Sequence, residues 1–434
     1  MPNVFSQSLW GDEAFSAVLS MKTIPDIIKT IIHDTSPPLW NLFEWLFFKL
    51  FGRSEIVIHS LSLMFFLIAA FFTYKIAAYL WNKKTGFLAL GLTLLNPFFF
   101  IYAFEGRMYS ILAAGVAASM YFFITKKWTL YVFATLFALY SHHFSIFALF
   151  VQGLWFIYEF ILGDRKSAKK MFRSFVFVGI GYIPWMIPLY SQMTMIKGGF
   201  WLGKPTINGL GGLFSDYLGT GIPHKLAIYA RNLVLLILAL KIWTKDFKRT
   251  FFLVLWFTLP ILITWIVSQK FTPIFFNRYL LYTIPGGMII LASNSRKYVT
   301  YLLLVVMALF AIIDLHYFIN PTKIPFRDLA NYVKQTQIPG DFLINEDAGS
   351  HKLWESKFYG IPAPIYDPTN IPLPYFVGTA LMEKQDVINV LPKDSKRLGV
   401  ITYKKGSELK FAGYKILSEK SFKDLNFVWM GKVK

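Results

Sequence analysis

The stretch Met64-Phe65-Phe66-Leu67-Ile68-Ala69-Ala70-Phe71-Phe72, inside an apolar run over 55–81 that stops just short of Lys83-Lys84, decides the fold class. An α-helix rises 1.5 Å per residue, so about 20 such residues cross the ~30 Å hydrocarbon layer of a bilayer. The same pattern recurs at 85–104, 108–125, 128–141, 143–162, 172–190, 226–244, 251–269, 279–294 and 298–318, which predicts about ten spans. Across 434 residues, 55% are hydrophobic and only 16% charged. Soluble chains carry about a quarter charged residues, so a water-soluble enzyme is excluded and a polytopic helical membrane protein is expected. There is no cysteine, hence no disulfide and no thiolate metal site.

Charge then sorts the connections. Lys83 and Lys84; Lys126 and Lys127; Arg165, Lys166, Lys169, Lys170 and Arg173; Lys241, Lys245, Lys248 and Arg249; and Arg296 and Lys297 place fifteen basic residues in five alternate loops, against Asp164 and Asp246. By the positive-inside rule these loops are cytoplasmic and the longer, less basic set faces outward. The net charge of +20 follows from that bias, so no nucleic-acid partner is expected; the lipid bilayer is.

Two soluble portions fall on the outer side. Residues 1–54 form an outer loop in which the thirteen-residue apolar stretch Leu39–Phe51, too short to span, follows Pro37-Pro38 and reads as an interfacial helix. Residues 55–318 are the membrane domain. From 319 the hydrophobicity drops: Arg327–Gln337 reads as helix and Asp341–Asn345 and Leu398–Tyr403 as strands. Phe411–Leu417 and Asn426–Lys432 read as two further strands that could pair, so 319–434 is expected to be a small soluble α/β domain. No span or secretory signal precedes Asp12; either the first span translocates the N-terminus, or the sequence starts later than its relatives.

Ionisable groups at helix ends and in outward loops are the candidates for chemistry. Asp12-Glu13 precedes Ala14-Phe15-Ser16, His33-Asp34 opens the approach to the interfacial helix, Glu105-Gly106-Arg107-Met108-Tyr109-Ser110 stands at one outer helix entrance and Phe276-Asn277-Arg278-Tyr279-Leu280 at another. Each has a plain alternative. Asp12 could cap a helix, Glu105 and Arg107 could pair, Arg278-Tyr279 could anchor a helix at the interface, and His142 and His143 could be histidines at an aqueous helix end.

In order and spacing, Gly11-Asp12-Glu13-Ala14-Phe15-Ser16, Ser36-Pro37-Pro38-Leu39-Trp40, Phe51-Gly52-Arg53-Ser54-Glu55, Glu105-Gly106-Arg107-Met108-Tyr109-Ser110 and Arg278-Tyr279-Leu280-Leu281 with Pro285 resemble the motifs of the GT-C membrane glycosyltransferases. The resemblance is to bacterial glycosyltransferase family 39, which includes protein O-mannosyltransferase-like enzymes and lipid A aminoarabinose transferases. It covers about residues 8–318 and is strongest over 8–124. Two features depart from the family: no span precedes the Asp-Glu element, and Ser36 stands where a histidine usually precedes Pro-Pro, with His33 three residues earlier. The resemblance implies an all-α polytopic bundle of GT-C type with outer juxtamembrane helices, followed by the α/β domain, in a plasma membrane with its active site on the extracytoplasmic side. It also implies transfer of a hexosyl or pentosyl unit from a polyprenyl-phosphate donor to a protein, glycolipid or polymer hydroxyl, with inversion.

On physical grounds such transfer needs a base for the acceptor proton, positive charge for the leaving phosphate and an apolar groove for the lipid. Asp12 is the expected base, with Glu13 its neighbour or substitute. Arg107 and Arg278 are expected to fork onto the phosphate. His33, Asp34, Glu105, Tyr109, His142, His143 and Tyr279 are further candidates for the substrate site. No cofactor is expected, although Asp12, Glu13, His33, Asp34, His142 and His143 are the groups that could assemble a divalent-metal site. The competing readings are a lipid-linked sugar flippase or transporter, which would want polar groups near the bilayer midplane, and a polysaccharide polymerase or ligase.

Overall fold

A computed structural model of the chain describes residues 3–197, 199, 201–241, 247–293, 296–346, 352–392 and 394–433. Lys245 and Asp246 of the fourth basic loop, and the side chain of Lys248, lie outside the described residues. The first helices are α1 (Gly11–Ser20), α2 (Ile24–Ile32), α3 (Leu39–Phe51), α4 (Glu55–Leu80), α5 (Lys83–Leu94) and α6 (Pro97–Ala103). There follow α7 (Tyr109–Ile124), α8 (Trp128–Ser141), α9 (Ser145–Leu162), α10 (Arg165–Lys197), α11 (Ile207–Ser215) and α12 (Ala227–Lys241). The last are α13 (Phe247–Lys270), α14 (Ile284–Ala292), α15 (Lys297–Ile319), α16 (Phe326–Thr336) and α17 (Lys352–Phe358). Six strands lie toward the C-terminus: β1 (Asp341–Asn345), β2 (Ile365–Tyr366), β3 (Val387–Ile388), β4 (Arg397–Thr402), β5 (Tyr414–Phe422) and β6 (Leu425–Lys432).

The chain divides into two compact units. One gathers Met1–Asp34, Asn41–Ile58 and Pro321–Lys434; the other holds Thr35–Trp40 and His59–Asn320. Thus the N-terminal segment that reads as a free outer loop packs with the C-terminal α/β portion.

In the first unit the sheet runs in the order β3-β2-β1-β4-β6-β5. β3, β2, β1 and β4 are parallel, while β6 returns antiparallel to β4 and pairs with β5 as a hairpin. Period-two alternation sends Leu343, Ile401, Phe427 and Trp429 into one core with α16 residues Phe326, Leu329 and Val333. Ile344, Leu398, Val400, Val428 and Met430 form the core on the opposite face. Helix α1 docks on α17, where Phe15 meets Trp354 edge-to-face at 5.2 Å. Gly378 packs against both rings, and with φ +89° and only 2.7 Å between a notional Cβ and Phe15 its position demands glycine.

Each of the ten predicted spans contains helix, but among the described residues only five helices are long and apolar enough to cross a bilayer by themselves, or six if a bent pair counts as one span: Glu55–Leu80, Ser145–Leu162, Arg165–Lys197, Arg249–Lys270 and Lys297–Ile319. Helices α5 and α6 form a broken pair bent by 67°. The break has a local cause: Pro97 starts α6, and Asn96 caps it by accepting the Phe99 N–H at 3.0 Å while donating to the Tyr217 carbonyl at 2.8 Å. Shorter apolar helices complete the bundle at Tyr109–Ile124, Trp128–Ser141 and Leu281–Ala292. Helices α7 and α8 approach closely because Gly115 leaves room for Ala138, where an added Cβ would sit 2.9 Å from the Ala138 backbone. A buried chain of Ser119, Thr135, Tyr131 and Gln152 hydrogen bonds, 2.7–2.9 Å long, joins them to α9. Small residues and interhelical polar bonds are the expected glue in lipid, where hydrophobicity does not favour helix–helix contact.

Candidate functional site

The candidate residues divide between the units. In the first, α1 opens with Gly11-Asp12-Glu13. Glu13 stands at the third helical position and accepts the Trp10 backbone N–H at 3.1 Å, satisfying a donor that the helix start leaves over. Its carboxylate is fully buried and takes Lys323 Nζ on both oxygens, at 2.7 and 2.6 Å. Asp12, one residue earlier, is partly exposed. A buried polar layer stiffens the other end of α1: Ser20 donates to Glu44 at 2.7 Å, and Asn41 donates to Ser16 and Ser20 at 3.0 Å. Between Leu9 and α4, Tyr359 donates to Glu55 and accepts the Leu9 N–H, both at 2.9 Å, and Arg327 lies 3.5 Å from the same Glu55. His33 caps the end of α2 and is exposed; Asp34 after it is partly exposed.

In the second unit the structure brings Arg107, Tyr109, His142, Arg278 and Tyr279 together. Arg107 sits in the turn between α6 and α7, where its N–H closes onto the Glu105 carbonyl at 2.7 Å and Glu105 itself is buried. Tyr109 begins α7, fully buried, with its ring 6.1 Å from Tyr279 and 6.4 Å from His142. The Arg278 guanidinium lies over the rings of Phe276, Tyr109 and Tyr279 at 4.9, 5.5 and 6.0 Å, a stacking that arginine makes and lysine makes less well. The short helix at Asn277–Tyr279 is pinned by Tyr217, whose hydroxyl donates to the Asn277 carbonyl at 2.6 Å.

His142 and His143 interrupt the α8–α9 connection and serve different partners. The Phe144 N–H donates to His142 Nδ1 at 3.1 Å, which leaves the proton of a neutral imidazole on Nε2. Burial first, then the charges of His143, Arg107 and Arg278, hold the His142 imidazole well below its usual range. His143 turns away, with Nε2 2.8 Å from Gln192 Oε1, and Gln192 in turn donates to the Ser36 carbonyl at 3.3 Å. Thus of the second unit's candidates His143 binds α10 and the Ser36 segment, whereas Tyr109 and Tyr279 lie under the Arg278 guanidinium and His142 feels the charges of both Arg107 and Arg278.

Among the described residues, no three His, Asp or Glu side chains stand where they could jointly hold a metal ion. Sequence reasoning missed three residues. Lys323, 310 positions from Glu13, carries no local signal, and Gln192 lies mid-way along an ordinary helix. Asp314 is buried on α15 with neither carboxylate oxygen hydrogen-bonded. Its signal was legible, since it is the one acidic residue in the apolar run 298–318.

No family model matches the chain, and no curated protein matches it in sequence. Solved structures do match in shape. The oligosaccharyltransferase of Archaeoglobus fulgidus in complex with Zn and sulfate aligns with a TM-score of 0.54 at 12% identity, over 91% of this chain and 64% of its own. The same organism's AglB, with an inhibitory peptide and a dolichol-phosphate, aligns with a TM-score of 0.51 at 12% identity, over 91% and 66%. This chain therefore spans just under two thirds of those proteins. ArnT from Cupriavidus metallidurans in the apo state aligns over 98% of this chain and 94% of its own, at 12% identity and a TM-score of 0.47. At these identities the likeness is one of architecture, and the architecture is the GT-C fold.

Proposed function

We propose that this membrane protein transfers a sugar from a polyprenyl-phosphate donor to an acceptor hydroxyl at the extracytoplasmic face. The observation that carries the reading is the Arg107–Tyr109–His142–Arg278–Tyr279 cluster: two guanidiniums beside tilted aromatic rings and an imidazole kept neutral. Arginine forks match phosphate oxygens, and the tyrosine faces suit a sugar ring or an isoprenoid. The shared fold with AglB, whose structure holds a dolichol-phosphate, supports the same ligand class.

In this reading Asp12 takes the proton of the acceptor hydroxyl as its oxygen attacks the anomeric carbon. The bond from that carbon to the phosphate oxygen breaks, and the departing lipid phosphate keeps the electron pair, stabilised by Arg107 and Arg278. One displacement inverts the anomeric centre, so one carboxylate suffices. Glu13, bound on both oxygens by Lys323, orients the turn that carries Asp12. The test is Asp12→Asn in a transfer assay with a panel of lipid-phosphate sugars. Loss of a general base should lower turnover about 10²–10⁴-fold with donor binding intact. Near-native turnover by Asp12→Asn beside a dead Glu13→Gln would exchange the two roles, and activity in both would defeat the outer carboxylate mechanism.

A further inference from the structure

A cavity of about 200 Å³ lies in the second unit at the helix ends opposite to Tyr109 along α7. It is walled by Phe123 on α7, Trp155 and Glu159 on α9, and Phe252 on α13, with Lys126 and Arg249 also in its lining. Leu80 at the end of α4 and Met171 near the start of α10 complete it. The lining thus draws on the helix ends beside the basic connections after α4, α7 and α9, and on Arg249 near the start of α13.

The walls are aromatic and rigid. Phe252 stacks on Phe123 at 6.0 Å, with an interplanar angle of 12°, and meets Trp155 edge-on at 5.1 Å. The rim is polar. Arg249 donates to the Leu80 carbonyl at 2.8 Å, which anchors its exposed guanidinium at the end of α4. Lys126 holds a left-handed backbone, φ 57°, and its ammonium stands 3.8 Å from Asp164, both half in solvent. The one acid in the wall, Glu159, accepts the Asp164 N–H at 3.0 Å. In the connections next to these lining residues, Lys83, Lys84, Lys127, Arg165, Lys166 and Lys169 are exposed.

We infer that this cavity binds an anionic phospholipid of the surrounding bilayer, its phosphate between Lys126 and Arg249 and the first methylenes of one acyl chain against Trp155, the rest of the lipid staying in the bilayer. Charge complementarity selects the occupant. Basic residues at a membrane surface attract anionic lipid, and a zwitterionic lipid gains nothing from that field. An apolar-walled slot at helix ends takes acyl chains but not a free polar anion. The site is separate from the proposed donor cluster at the start of α7, so it stands whether or not that assignment does.

The experiment is native mass spectrometry of the full-length purified protein titrated with phosphatidylglycerol or phosphatidylcholine. Wild type should retain phosphatidylglycerol at least tenfold more tightly than phosphatidylcholine. Lys126→Asn, which keeps a residue tolerant of positive φ, combined with Arg249→Gln, which can still donate to Leu80, should remove that preference. Lys166→Asn removes a charge from the same face without touching the cavity and should change affinity less than threefold. Equal retention of the two lipids by wild type would overturn the inference. So would an equal loss from Lys166→Asn and the cavity variant, which would reduce the effect to the general surface field. If the double variant unfolds, Trp155→Ala provides the second arm: it should weaken retention of both lipids, and unaltered phosphatidylglycerol affinity there would also count against the site.

Discussion

Replacing Lys323 by Met removes the cation that both oxygens of Glu13 hold at 2.6 and 2.7 Å. Glu13 has no solvent exposure and Lys323 only 11%, so water cannot compensate for the missing charge. Breaking a buried pair from one side costs about 3–5 kcal/mol, whereas replacing both partners by neutral groups is often close to neutral. Lys323→Met and Glu13→Gln are therefore each expected to destabilise by about 3–5 kcal/mol. The Glu13→Gln/Lys323→Met double variant should come back to within about 1 kcal/mol of wild type, because Gln still accepts the Trp10 N–H and no charge is left behind. The assay is a double-mutant cycle of unfolding in one detergent, followed by transfer kinetics. Since Glu13 adjoins Asp12 on the same turn, Lys323→Met should also lower turnover while leaving donor affinity unchanged, and Lys323→Arg should restore part of it. Strict additivity of the two single changes, or a Lys323→Met variant as stable as wild type, would refute the clamp.

Other outcomes follow from the second unit and from the charge pattern. Arg278→Ala is expected to weaken lipid-phosphate binding severely and Arg278→Lys partly, because lysine keeps the charge without the fork or the ring stack; binding measured beside thermal stability separates this from a mere helix anchor, and Arg107 is tested in the same way. Because His142 is held below its usual range, the unfolded chain binds a proton that the folded one refuses, so stability falls as pH drops below about 6.5. His142→Asn, which still accepts the Phe144 N–H, should reduce that slope in melts between pH 7 and 5, leaving the part due to His143, whose imidazole burial also holds down; an unchanged slope would assign the proton elsewhere. As the chain has no cysteine, Lys166→Cys should resist an impermeant thiol reagent added outside intact cells while Ser407→Cys reacts, and the reverse labelling would invert the predicted orientation.

Much of the architecture is legible in the order of residues along the chain. The helical segments follow from apolar runs, the start of α3 from Pro37-Pro38, and the strands β1, β4 and β6 from short runs rich in apolar and β-branched residues. These are local properties: hydrogen bonding to the next turn, a ring that fixes φ, a side chain that points up or down. The five basic loops are equally local, because each lysine or arginine carries its own desolvation cost in the membrane. Asp12, Arg107 and Arg278 stand out for the same reason, as polar groups at the ends of segments that otherwise exclude them.

Tertiary structure alone decides which of these groups meet. Nothing near Glu13 announces Lys323, since a buried ion pair depends on two surfaces closing over it and not on spacing along the chain. The same holds for Tyr109, His142 and Arg278, which come from three separate parts of the chain and meet in one aromatic cluster, and for His143, which the fold turns away toward Gln192. It holds as well for residues 3–34 and 41–54, which read as part of an outer segment but whose partner, the α/β portion from Pro321 onward, is not readable. Apolar periodicity says that a face must be buried; only the packed chain determines what buries it.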